Sequence, residues 1–135
     1  MAWITPKTDW VASDTIEYTD TQRIRGNYLY IADLAQHLYD VPSLVNMVEK
    51  TAYTDIFYHT DMNAFEDNLD ILNNATYLFD IGAKTTYTEN SLYPTPAEMN
   101  RIENAMLKIK NFLESQKAAR SVLQFRLGNF HGLRV

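Results

Sequence analysis

The sequence predicts a small, mainly α-helical domain: three principal helices in an antiparallel bundle, with an extended N-terminal arm and a short β-like C-terminal tail. Apolar residues recur at alternating spacings of four and three in three separate stretches, the period of a helix with one buried face. Each stretch also opens on residues that cap helices, whereas neither end of the chain keeps that period. The division that follows is an arm over 1–18, a helical domain over 19–120 and a tail over 121–135. A length of 135 residues suits one such domain.

In the arm, Pro6 biases Thr5 away from helix, and Trp3 and Trp10 are large apolar groups that need something to pack on. Thr19-Asp20-Thr21-Gln22 then reads as a capping box, in which hydroxyl and amide satisfy each other's backbone donors. Behind it Ile24, Tyr28, Ile31, Ala35 and Leu38 form one stripe, predicting a helix over about 20–39 that Pro42 closes off. A short helix over about 43–50 is expected next. Thr60 and Asp61 restart the pattern, and Phe65, Leu69, Leu72, Thr76 and Phe79 predict a helix over about 61–80 with Gly82 as its C-cap. Thr95-Pro96-Ala97-Glu98 places a cap and a proline at the start of a third helix, expected over 96 to about 119, with Ile102, Met106, Ile109 and Leu113 as its stripe. In the tail Val122, Gln124 and Arg126 alternate with Leu123, Phe125 and Leu127 before Gly128 and Gly132, which reads as one or two short strands.

The three helices also align on one another. Residues 20–31, 61–72 and 98–109 superpose without gaps, each opening on an acid (Asp20, Asp61, Glu98) with an amide two positions later (Gln22, Asn63, Asn100). The second and third copies share a Met-Asn pair, Met62-Asn63 and Met99-Asn100. Acids at helix N-termini complement the dipole, and stripes in phase let three helices bury one seam. Such repetition speaks of packing, not of catalysis.

The net charge of −5 is unevenly spread: residues 101–135 carry seven basic and two acidic residues, leaving residues 1–100 at −10. A basic last helix solvated on its outer face accounts for this, and so does head-to-tail docking between copies. Cations spread so thinly beside an acidic body do not make the dense stripe that nucleic acid needs. No apolar run is long enough to cross a bilayer, so no membrane partner is expected, and MAWITPKTDW lacks the pattern of a signal peptide.

With no Cys there is no disulfide, thiolate metal site or cysteine nucleophile. His37, His59 and His131 lie at no metal-binding spacing, and the acids around Asp61, Asp67 and Asp70 lack the glycine and terminal glutamate of a calcium loop. Neither a nucleophile elbow nor a glycine-rich phosphate loop occurs. The expectation is therefore a non-enzymatic chain with no cofactor and no metal. Aromatic residues make up 13% of it, nine of them Tyr, more than so small a core holds, which points to burial against other subunits.

Pro6-Lys7-Thr8-Asp9-Trp10, Asp14, and the helix start with Arg23-Ile24 and Asn27 resemble a pattern of short structural proteins in bacteriophages and prophages of Firmicutes. There a P-x-T-x-W segment leads into a D-x-N-R-I-x-x-N helix, and Asn100-Arg101-Ile102-Glu103-Asn104 matches that helix best. The resemblance covers about forty residues; Gln22 and Arg25 depart from it in the first copy, and Ala64-Phe65 in the second. It implies a component of a tailed-phage virion, in the tail, baseplate or connector region, soluble in the host cytoplasm before assembly. The partners implied are other virion proteins and further copies of the chain. Interface residues expected on this reading are Trp3, Trp10, Tyr30, Leu123, Phe125, Leu127 and Phe130, with the two Trp anchoring the arm on a neighbour and the tail adding strand edges to another chain. The alternative is a soluble carbohydrate- or ligand-binding module that stacks ligands on a Tyr/Trp surface.

Overall fold

A computed structural model describes residues 3–38, 43–52, 58–76, 80–82, 84–88 and 94–129, with side chains as far as 120. It holds three helices, α1 (Tyr18–Gln36), α2 (His59–Ala75) and α3 (Pro96–Asn129), each packed against the other two. The described residues contain no strand. Three irregular segments precede the helices: a first strap over 3–17, a second over 43–52 and a third over 80–82 and 84–88.

The helices start where local chemistry satisfies their first backbone donors. The carboxylates of Asp20 and Asp61 accept the N–H of Glu17 and Tyr58 at 2.9 and 2.8 Å, and Thr95 Oγ1 accepts the N–H of Glu98 at 3.2 Å. The cap of α1 is thus Glu17, two residues ahead of the expected Thr19. Counting twelve positions from Asp20, Asp61 and Glu98, positions 5, 9 and 12 are buried in every copy. They stack as Ile24, Phe65 and Ile102, then Tyr28, Leu69 and Met106, then Ile31, Leu72 and Ile109. Full burial of each such side chain contributes about 1.5–3 kcal/mol.

The helices run parallel, not antiparallel. The second strap meets α2 at Asn68, then α1 at Arg25 and Gln22, and ends at Asp61, descending both helices towards their N-termini. The first strap descends from Asn27 of α1 to Asn100 of α3, and the third passes Arg101, Glu66, Asn63 and Glu98. Each strap therefore carries the chain back to the end where all three helices begin. The 22 residues between α1 and α2 allow this return, whereas antiparallel neighbours are usually joined by about 2–8.

Three further expectations need correction. No short helix forms over 43–50, because the backbone there is held by side chains of α1 and α2 instead of by itself. Helix α2 ends at Ala75, so Gly82, with φ +79°, turns the third strap and caps nothing. The β-like tail is replaced over 121–129 by helix. From Pro96 to Leu127 the sequence has no Gly and no further Pro, and Lys117-Ala118-Ala119-Arg120 propagates the helix into the alternating stretch. Residues 130–135, including Phe130, lie outside the described residues.

Candidate functional site

Each strap lies in a groove between two helices, gripped by its backbone. Four asparagines do this with both ends of the amide, imitating a neighbouring strand. Asn27 accepts the N–H of Ile4 at 3.0 Å and donates to its carbonyl at 2.8 Å. Asn68 holds Val45 at 2.7 and 2.9 Å, Asn63 holds Tyr87 at 2.8 and 2.7 Å, and Asn100 holds Trp10 at 2.8 and 3.2 Å. Gln22 makes half such a clasp, donating to the carbonyl of Lys50 at 2.8 Å.

The positions are systematic. An amide at position 3 of one helix grips the strap that follows it, and Asn at position 8 grips the strap that precedes it. The amide of α3, Asn100, grips the first strap and so closes the cycle. Only α3 lacks the second clasp, having Ala105 at position 8.

Two buried helix-to-helix ion pairs reinforce the grooves, and a third, Lys50 with Asp61 at 3.0 Å, ties the second strap to α2. Glu103, fully buried, accepts from Lys7 N at 3.1 Å, Trp10 Nε1 at 2.5 Å, and Arg23 Nε and Nη2 at 2.8 and 3.0 Å. Glu66 accepts from Thr85 N at 2.7 Å and pairs with the Arg101 guanidinium. Both pairs join position 6 of one helix to position 4 of the next around the cycle. Between α1 and α2 those positions hold Arg25 and Ala64; both partners are missing together, and Arg25 instead donates to the carbonyl of Met47 at 3.0 Å. Burial works against the charge of Arg23, but hydrogen bonds to Glu103 and Asp20 outweigh it and raise its pKa. Burial raises the hydroxyl pKa of Tyr28 well above the ordinary value; burial, then the bond to Glu98, raises that of Tyr87. No buried side-chain polar atom among the described residues lacks a partner, as a static framework requires.

The expected interface residues divide into two groups. Trp10, 5% exposed, is spent inside its own chain, with Lys7 and Arg23 over its ring at 5.2 and 5.9 Å. Trp3 is half-buried against Tyr30, ring centroids 5.6 Å apart, with Lys110 over its other side. Tyr30 in turn donates to Glu114 at 2.8 Å. The structure thus brings Trp3, Trp10 and Tyr30 into or beside one groove, where the arm docks on its own body. Among the described aromatic residues Tyr58 alone is exposed, at 53%.

Leu123, Phe125 and Leu127 lie elsewhere, on the last turns of α3. In the shared count α1 and α2 end at the equivalents of Glu114 and Phe112, while α3 continues through residues 115–129, about 22 Å further. Among its described side chains Leu113 is the last that is buried; Ser115 and Lys117 to Arg120 are exposed. Where α3 leaves the body, Tyr30, Leu34, Glu114, Lys117 and Ala118 line an open hollow of about 380 Å³. This overhang is the candidate functional site.

No family model, curated protein or solved structure matches the chain. Among the described residues no cluster of three or more acidic or histidine side chains could hold a metal ion, and no helix is long and apolar enough to cross a membrane. Sequence reasoning names Asn27 and Glu103 only as members of short motifs and misses all four of Asn27, Asn68, Glu66 and Glu103 as the residues that hold the straps. Their signal was recurrence at positions 8 and 6 of the aligned copies.

Proposed function

We propose that the chain is a non-enzymatic structural component of a tailed-phage virion, of the tail, baseplate or connector region, that works through protein–protein assembly. The overhang of α3 carries this reading. A helix that outlasts its own bundle, with Ala118 and Ala119 exposed and Val122, Leu123, Phe125 and Leu127 further along its sequence, presents apolar area that another chain can bury. The short motifs around Trp10 and Arg101 supply the phage context, and the buried ion pairs suit a rigid part more than a moving one.

Light scattering coupled to size exclusion tests the assembly. The full chain should associate, and a chain ending at Gln116 should be monomeric with an unchanged bundle melt. A full chain that stays monomeric and binds no tail protein refutes the reading. Mass spectrometry of purified particles of the encoding phage should find the chain, and its absence there refutes the virion assignment.

A further inference from the structure

We infer that the overhang of α3 in one copy docks on the outer face of the second strap in the next copy, joining copies head to tail. This rests on the assembly reading above and names its partner surface. The donor is basic: Lys117 and Arg120 are exposed, and Arg126 follows among the apolar residues of the last turns. The acceptor combines apolar and acidic groups. Val45 and Val48 on the second strap are 43% and 57% exposed, and Glu49 beside them is exposed. Asp33, also exposed, stands about two turns beyond Arg25 on α1, the residue that holds the carbonyl of Met47.

Several observations choose this occupant. Residues 1–100 carry −10 and residues 101–135 carry +5, so unlike ends attract, whereas two α3 overhangs side by side would set cation against cation. The backbone of the second strap is gripped from beneath at Val45, Met47 and Lys50 by Asn68, Arg25 and Gln22, and its outer face offers the exposed side chains of Val45 and Val48 for a helix to cover. Donor and acceptor are different surfaces, so each joined copy still presents one of each. The assembly is therefore a ring or an open filament.

Charge exchange in the full chain tests the contact, read by sedimentation velocity over a concentration series. Asp33→Lys/Glu49→Lys reverses the acceptor and Lys117→Glu/Arg120→Glu the donor; all four side chains are exposed, and circular dichroism checks that the helices persist. Each variant alone should associate at least about tenfold more weakly. The two mixed together should associate again, because each then presents the charge the other needs. Variants that associate like the unaltered chain, or a mixture that restores nothing, overturn the proposal. If the chain ending at Gln116 is monomeric while the acceptor variant associates normally, this surface is wrong and the assembly reading stands. An unaltered chain that never associates overturns both.

Discussion

Glu103 is the residue on which most of one groove depends, and its replacement by alanine should be costly. The carboxylate is fully buried and accepts four hydrogen bonds, from Lys7, Trp10 and twice from Arg23. Removing it leaves the Arg23 guanidinium, its side chain 13% exposed, with Asp20 as its remaining ion-pair partner at 2.7 Å. Breaking a buried pair from one side costs about 3–5 kcal/mol, and Asp20 should bring the loss towards the lower figure. At a urea dependence of about 2 kcal/mol/M, the midpoint falls by about 2 M or slightly less. Trp10 fluorescence and helical dichroism, followed together, give the measurement. Adding Arg23→Ala removes the stranded charge, so the double variant should be more stable than the sum of the two losses by at least about 1 kcal/mol. The groove between α1 and α2 has Arg25 and Ala64 in place of such a helix-to-helix pair and is tied instead by the buried pair of Lys50 with Asp61. A Glu103→Ala cost below about 1 kcal/mol, or strict additivity with Arg23→Ala, would refute this account.

Three other outcomes follow from the same contacts. Asn27→Ala and Asn68→Ala each remove one backbone clasp of two hydrogen bonds and should each cost about 1–3 kcal/mol in urea titrations, with faster amide exchange near Ile4 and Val45 respectively. Gly82→Ala should cost about 1–2 kcal/mol, because φ is +79° and the new Cβ would meet Arg101 Cδ at 2.6 Å; a neutral thermal melt would contradict this. Tyr28 and Tyr87 hold their protons above the ordinary pKa of 10 when folded. Their stabilisation is thus complete below pH 10 and declines above it, as the unfolded chain alone ionises, by about 1.4 kcal/mol per pH unit for each tyrosine. Denaturant titrations across that range should show the slope, and a stability that stays flat as the pH rises above 10 would contradict it.

The three helices were legible because their stripes are strict and their first turns carry Asp20, Asp61 and Thr95. Their mutual direction was not read correctly, although the spacing between α1 and α2 signalled it; periodicity along a helix says nothing of the route between helices. The tail misled because Val122 to Leu127 alternates like a strand, and short apolar runs fit either period. What decided was continuity with a helix already nucleated at Pro96. Trp10 is expected from sequence to anchor the arm on a neighbour, whereas it is buried in its own chain; Asn100 and Glu103, which hold it, lie 90 and 93 positions away, beyond the reach of local periodicity.

Holding a peptide by its amides has one more consequence. The grip at Ile4 and Val45 does not depend on what their side chains are, and both point largely into water. Lineages can therefore rewrite the outward residues of a strap without disturbing where it lies. A rigid frame with an editable exterior lets the outer surface change while the backbone beneath it stays in place.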